Sequence, residues 1–277
     1  MSDRQQLVKI GEVLSRSEVI ESGVPQGSVL GPIGFLIYIN DLGKINLHGR
    51  IIFFADDACL LYDSDKLDDL YMYMKQDIEI LMKWFSNNLL LLNLKKTEYV
   101  IFHKRSIIVE KRDLYVNNIL ITNTNIVRYL GLTLDDTLSW KAHIDSVRKS
   151  VLPGISLLFR LRNFISTDCL KMLYYALIHS RITYLAGIWG HCKEVNFNQI
   201  FILQKRALKT VYKLPVKTGT QHLFNVSGVA PLKLLVNATL ACFVHRSILN
   251  GMHLEIFVGK KVPHYHLRTS INLPIHS

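Results

Sequence analysis

A chain of 277 residues is long enough for one large domain or two modest ones. Its 49% hydrophobic and 20% charged residues support a real core and exclude global disorder. Its four cysteines, Cys59, Cys169, Cys192 and Cys242, include no close pair, which argues against a disulfide framework and a cysteine-rich zinc site. No apolar run approaches the roughly 18–20 residues needed to span a membrane. The first ten residues carry no leader-like apolar block. The expectation is a soluble, intracellular chain with no membrane partner.

The formal net charge of +11 is unevenly spread. Residues 1–140 hold 15 Lys/Arg against 18 Asp/Glu, residues 141–220 hold 13 against 3, and residues 221–277 hold 5 against 1. A mildly acidic half followed by a basic half suggests chemistry first and polyanion binding second. Charge alone also fits a basic protein that binds nothing in particular.

In chain order, turn residues crowd the start, at Ser22-Gly23, Pro25-Gln26-Gly27 and Gly31-Pro32. Phe35–Ile39 is apolar and short, and its pattern fits either a helix or a strand. Ile51–Phe54 and Ala58–Tyr62 read as two strands separated by Asp56-Asp57. Leu67, Leu70, Met74, Ile78, Leu81 and Phe85 recur at helical spacing, with Ser64 or Asp65 placed to cap the start and Asn87-Asn88 the end. Glu98–Phe102, Leu114–Val116, Ile119–Thr122 and Val127–Leu134 read as strands, with Asn117-Asn118 as a tight hairpin turn. After Trp140 the pattern turns helical: His143–Val151, Cys169–Leu185 and Gln199–Tyr212. These elements predict an α+β domain over residues 1–138, a basic all-helical domain over 139–255 and a disordered tail over 256–277.

Asp56 and Asp57 are the most informative pair. Two adjacent carboxylates enclosed by apolar strand lose hydration and repel each other. A divalent cation removes that penalty, and Mg²⁺ favours carboxylate and phosphate oxygens. An exposed turn is the competing reading. Asp68-Asp69, on a polar helix face, and Asp135-Asp136, at a strand end, are read as such turns. His191-Cys192 is read as ordinary packing.

Taken together the motifs say more. Ser22-Gly23-Val24-Pro25-Gln26-Gly27-Ser28-Val29-Leu30-Gly31-Pro32, running on to Tyr38-Ile39-Asn40-Asp41-Leu42, resembles the motif that follows the first catalytic strand in non-LTR retrotransposon reverse transcriptases. Phe54-Ala55-Asp56-Asp57 resembles that family's catalytic hairpin, Leu92-Asn93-Leu94-Lys95-Lys96-Thr97 its next motif, and Tyr129-Leu130-Gly131-Leu132 the motif closing its palm. The four stand in the family's order and cover at least residues 20–135. Leu203-Gln204-Lys205-Arg206-Ala207 is similar to part of the family's thumb and following region.

The resemblance implies a partial polymerase palm, built as an antiparallel sheet with helices, followed by an all-helical thumb-like domain. It implies two-metal nucleotidyl transfer with Mg²⁺ or Mn²⁺, acting on an RNA template, a DNA primer and deoxynucleoside triphosphates. Asp56 would ligate metal, with Asp57 in support. Gln26 and Gly27 would line the nascent base pair, the lesser reading being that Gly27 only serves a turn. Lys96 would face the triphosphate or remain solvated, and Leu130-Gly131 would hold the primer end. Lys205, Arg206 and Lys209, on one helix, are candidates for phosphate contact. The family also implies a nuclear location.

The sequence departs from the family pattern upstream. The family carries a first catalytic aspartate on a strand before the Pro-Gln-Gly motif, whereas here Asp3 is the one aspartate before Ser22. Gly34 stands where the family has a larger apolar residue, weakening that helix by up to about 1 kcal/mol relative to alanine. The expectation is a fragment that does not extend a primer by itself. Two further readings stay open: a non-catalytic nucleic-acid-binding remnant, and a structural protein with an incidental charge bias.

Overall fold

The computed structural model describes residues 5–20, 27–55, 57–251 and 267–276. By internal contacts the chain forms two compact units. One comprises Met1–Tyr99, Arg112–Asn123 and Arg268–Ser277, the other Val100–Lys111 and Thr124–Leu267. The architecture is α+β.

The first unit opens with a narrow hairpin. Its outer ladder pairs β1 (Gln5–Gln6) with β4 (Glu18–Val19), and its inner ladder pairs β2 (Lys9–Ile10) with β3 (Val13–Leu14). Gly11 sits at its turn with φ +63°, a conformation glycine adopts without penalty. The apolar stretch that fitted either helix or strand is helical: α1 spans Leu30–Ile39. Ser28 Oγ accepts from Gly31 N at 3.0 Å, and Pro32 falls in the first turn, where its missing N–H is no loss. A 3-10 turn, Leu42–Lys44, follows, with Leu42 fully buried.

β5 (Arg50–Phe54) and β6 (Asp57–Ser64) form an antiparallel hairpin. α2 (Leu67–Asn87) buries Leu70, Met74, Ile78, Leu81 and Phe85, the stripe expected from the sequence. Its start differs from expectation. Lys66 is the cap residue and makes no side-chain cap bond, while Ser64 Oγ accepts from Lys66 N one step earlier. At the other end Asn88 Nδ2 donates to Trp84 O.

The large sheet has the order β5-β6-β13-β8-β10-β9, where β8 is Glu98–Phe102, β9 Leu114–Val116, β10 Ile119–Asn123 and β13 Leu267–His276; β7 (Leu91–Leu92) pairs with β13. The expectation of an antiparallel sheet needs correction, because β10 runs parallel to β8. The chain leaves the sheet after β8 and returns through β9, so the second arm of the β9–β10 hairpin lies along β8 in the same direction. Asn117 and Asn118, with φ +48° and +61°, make the expected tight turn between β9 and β10. Of the tail expected to be disordered over 256–277, residues 267–276 form β13, and residues 256–266 and 277 lie outside the described residues.

The second unit begins its main run with a hairpin where one strand was expected. β11 (Ile126–Tyr129) and β12 (Leu132–Asp135) pair antiparallel, because Leu130 (φ +45°) and Gly131 (φ +80°) fold the chain back. Asp135, read as an exposed turn residue, is buried. Its carboxylate accepts from Ser139 N at 2.6 Å, Ser139 Oγ at 2.8 Å, Trp140 N at 3.0 Å and Thr137 Oγ1 at 3.1 Å. It thereby organises the entry to α3.

α3 (Lys141–Leu161) continues ten residues past the expected end at Val151 and contains Pro153. A proline inside a helix costs about 3 kcal/mol. Burial of Val151, Ile155 and Leu158 against α4 (Thr167–Tyr174) and α7 (Glu194–Val211) offsets it. The second expected helix is broken into α4, a wide turn over Tyr175–His179, and α5 (Ser180–Thr183). α6 (Ala186–Trp189), α8 (Thr220–Ser227) and α9 (Leu232–Leu249) complete the bundle. α6 and α9 approach closely at Gly190, where a Cβ would lie 2.5 Å from Val236 Cγ2. α9 is long and apolar enough, by length and composition alone, to cross a membrane; it is capped into this core through Leu232 and Val236.

Candidate functional site

The β5–β6 hairpin carries the acidic motif. Phe54 pairs with Asp57, so the chain reverses tightly just after Ala55. Such a turn needs a positive φ, and Ala55 adopts φ +54°, at about 1–2 kcal/mol for a residue with a Cβ. Strain of this kind is tolerated where the surrounding structure fixes it, and it gathers at functional sites. Here the fixing element is β6: Ala58, Cys59, Leu60 and Tyr62 are all buried. Burial pushes the Cys59 thiol up to about 11, so it stays protonated at neutral pH. Asp57, at the rim of this apolar strand, is half-buried. Asp56 lies outside the described residues.

The base of the hairpin is held by a residue the sequence reading missed. Asp77, on the core face of α2, is fully buried. It accepts from Gly49 N at 2.8 Å, His48 Nδ1 at 2.9 Å and His48 N at 3.1 Å. The His48 ring stacks on Tyr73 with centroids 4.5 Å apart. Tyr62, buried beside Asp77, has its pKa driven up first by burial and then by the negative charge of Asp77. A charged residue inside a helical apolar stripe was the available signal.

The other expected residues divide by unit. In the first, Gly27 has φ +82°, which favours glycine and gives the turn reading a physical basis, while Gln26 lies outside the described residues. Lys96 is exposed on a compact turn: Thr97 Oγ1 donates to Asn93 O at 3.0 Å and Lys96 N to Asn93 O at 3.0 Å. Thr97 is fully buried, so the Asn-to-Thr turn is a rigid pedestal for Lys95 and Lys96.

In the second unit, Leu130 and Gly131 form the turn of the β11–β12 hairpin. Tyr184 Oη donates to Leu130 O at 2.8 Å. Arg128, Gly131, Ser150, Ser180, Arg181 and Tyr184 line an open groove of about 490 Å³ there. Arg181 donates to Ser150 O. The wide helical turn at Tyr175–His179 shifts the register that presents Ser180 and Arg181, an irregularity often found at working sites. Sequence reading missed Arg128, Arg181 and Tyr184. Of the three basic residues on α7, Lys205 places its ammonium 4.7 Å over the Phe201 ring and Lys209 donates to Val216 O, whereas Arg206 is exposed. Gln204, immediately before them in sequence, is fully buried. Its Nε2 donates to Ala230 O at 3.0 Å and its Oε1 accepts from Leu232 N at 2.9 Å.

Among the described residues, no three His, Cys, Asp or Glu side chains come together as a metal site. Asp57 supplies one carboxylate there, and Mg²⁺ is commonly held by one or two carboxylates together with substrate phosphates.

Residues 5–134 match the family model described as reverse transcriptase (RNA-dependent DNA polymerase). This α+β segment is therefore a reverse transcriptase domain, of a family that generally uses divalent metal ions. More particularly, it is homologous to the RNA-directed DNA polymerases of non-LTR retrotransposons. The chain is 26% identical over 234 residues to a protein of Drosophila melanogaster described as a probable RNA-directed DNA polymerase from transposon BS, covering 80% of this chain and 26% of that protein. It is 26% identical over 211 residues to the RNA-directed DNA polymerase from mobile element jockey of Drosophila funebris, covering 73% and 23%. It is 24% identical over 225 residues to a probable RNA-directed DNA polymerase from transposon X-element of Drosophila melanogaster, covering 76% and 24%. The chain thus spans about a quarter of the length of these relatives. No solved structure matches it.

Proposed function

We propose that the chain contributes part of the palm, over 1–138, and a thumb-like helical region, over 139–255, to an RNA-directed DNA polymerase that copies an RNA template onto a DNA primer. The observation that carries this reading is the strained β5–β6 turn, which sets Asp57 beside Phe54 at the end of a buried strand within a reverse transcriptase domain. Asp56 and Asp57 are the proposed Mg²⁺ or Mn²⁺ ligands, Gln26, Gly27 and Lys96 the nucleotide-facing residues, and Leu130-Gly131 the primer-holding turn. Of the α7 cations, Arg206 is the one proposed to meet phosphate, since Lys205 and Lys209 have partners within their own unit.

A polypeptide of these 277 residues alone, in which Asp3 is the one aspartate before Ser22, is proposed not to extend a primer. Loss of a ligand that stabilises transition-state charge costs orders of magnitude in rate. An extension assay with Mg²⁺, template, primer and deoxynucleotides tests this, and the expected result is no product. Product that disappears in Asp56→Ala would overturn the incompetence and support the site. The second reading, a non-catalytic nucleic-acid binder, is favoured by the groove that Arg128 and Arg181 flank. It expects RNA affinity that falls steeply as salt rises. A flat salt response overturns nucleic-acid binding in either form.

A further inference from the structure

The N-terminal halves of α7 and α9 flank a cavity of about 560 Å³ that shares no residue with the Arg128–Arg181 groove. Its size falls within the range of about 300–1,000 Å³ usual for ligand clefts. Glu194, Phe197, Asn198 and Phe201 reach it from α7 at steps of three and four, so they form one stripe of that helix. Lys233, Val236 and Asn237 reach it from α9 in the same way. The two stripes match: each begins with a charge and has an apolar residue and an amide one turn further on.

The cavity has an apolar floor and polar walls. Phe197 and Val236 are buried and Phe201 half-buried, while Glu194, Lys233 and Asn237 are exposed. Among the described residues, no hydrogen bond or ion pair engages the side chains of Glu194, Asn198, Lys233 or Asn237. A side-chain amide offers a donor and an acceptor together, as a peptide group does, so the two can pair through two bonds. The charges on the walls balance, Glu194 against Lys233. That neutrality is out of keeping with its setting, since residues 141–220 hold 13 Lys/Arg against 3 Asp/Glu and Glu194 is one of the three. A polyanion would meet a carboxylate here and bare cations elsewhere on the same unit, so nucleic acid is the poorer fit to this cavity.

We propose that the cavity between α7 and α9 docks an extended peptide segment of a protein partner, anchored by one large apolar side chain and flanked by a cation on one side and an anion on the other. Phe197, Phe201 and Val236 receive the anchor, and the phenylalanine ring edges favour an aromatic one. Asn198 and Asn237 bond the peptide groups on either side of it. Glu194 and Lys233 meet the flanking charges. Cys192 lines the same cavity, so its thiol reports whether the cavity is filled.

The test uses the full chain with Cys169→Ser and Cys242→Ser, which leaves Cys192 and the buried Cys59 as its thiols. The probe is the capped, fluorescein-labelled peptide Arg-Ala-Phe-Ala-Glu. Comparison peptides carry Ala in place of Phe, or Glu at both ends. Binding is read by anisotropy, and occupancy by the rate at which N-ethylmaleimide adds to Cys192, followed by mass. The probe is expected to slow that addition and to bind at least about tenfold more tightly than the peptide without Phe, as burial of one aromatic side chain requires. Prior alkylation of Cys192 should abolish binding. Glu194→Lys should weaken the probe about threefold and strengthen the peptide with Glu at both ends by a similar factor, the scale of exposed ion pairs. A merely structural effect of that substitution would weaken both peptides and so overturn the charge assignment. No binding of the probe, or equal binding of the peptide without Phe, overturns the site. Protection of Cys192 by an oligouridylate and not by the probe overturns it in favour of nucleic acid. Protection that grows with chain concentration alone overturns it in favour of a second copy. None of the peptide readouts involves primer extension, so they stand or fall apart from the polymerase reading.

Discussion

Tyr184 donates its phenolic hydrogen to the carbonyl oxygen of Leu130 at 2.8 Å, and its ring edge lies 3.0 Å from where a Cβ on residue 131 would sit. One tyrosine thus latches the turn of the β11–β12 hairpin and leaves room there for glycine alone. Gly131→Ala meets two penalties together, a left-handed φ of +80° and a contact with the Tyr184 ring. A loss of about 2 kcal/mol is expected in urea unfolding. Tyr184→Phe forfeits the hydrogen bond alone and is expected to cost about 1 kcal/mol. The double variant should cost less than the sum, because the residues share one contact. Strict additivity would show that the latch does not exist.

Asp77 sets a second expectation. Its carboxylate is fully buried and accepts from two backbone N–H groups and the His48 ring. Asp77→Ala would strand those donors beneath the hairpin, with an expected loss of about 3 kcal/mol, since each orphaned buried group costs about 1–3 kcal/mol. Gly49→Ala should disturb the same corner by another route. A Cβ there would lie 2.5 Å from Tyr62 Cε1, so the ring must move. Chemical denaturation followed by tryptophan fluorescence measures both. Wild-type stability in Asp77→Ala would mean that the corner does not support the fold.

The contrast between these two residues explains what was legible in advance. The α2 stripe, the strands around Asp56-Asp57 and the Asn117-Asn118 turn follow from short-range pattern, and the structure has them close to the expected bounds. Asp77 and Gln204 are polar residues whose partners lie 26 residues or more away at His48 and Gly49, and at Ala230 and Leu232. No local window contains both ends of such bonds. Leu130-Gly131 was hidden for a different reason: Val127–Leu134 alternates like one strand, and the fold-back depends on a leucine with positive φ. The helix expected over His143–Val151 stops short of Pro153, yet burial on both sides carries α3 through that proline. The place of β13 between β6 and β8 is a pairing across most of the chain, beyond the reach of periodicity.

Acid should weaken the second unit through His143. The ring is buried against Trp140 and Trp189; its Nδ1 accepts from Thr133 N at 3.3 Å and its Nε2 is buried without a partner. Burial lowers its pKa from the ordinary 6.5. The folded state therefore holds the ring neutral, while the unfolded chain takes up a proton near 6.5. Its contribution is fully present above 6.5 and is lost as pH falls through the lowered folded value. His179, lowered for the same reason, adds to the same slope. Urea midpoints of His143→Gln measured on both sides of pH 6.5 should show a shallower acid-side fall than the parent. An unchanged slope would mean that His143 does not titrate with unfolding.

The groove beside the latch yields the last expectation. Arg128 lies on β11 and Arg181 on α5, both exposed and both lining the open space next to Gly131. Guanidinium groups set around a concave polar surface suit a phosphate backbone, and each phosphate neutralised adds nearly one to the slope of log affinity against log salt. Arg128→Gln with Arg181→Gln should therefore weaken RNA or DNA binding uniformly across sequences and reduce that slope by about 2. Arg181 also donates to Ser150 O, so its replacement could act through folding instead. Lys substitutions separate the two effects: they keep the charge while losing the planar fork, and should restore most of the salt slope with only part of the affinity. If the double glutamine variant keeps the parent's slope, the basic half of the chain meets nucleic acid elsewhere, and exposed Arg206 on α7 becomes the next residue to replace.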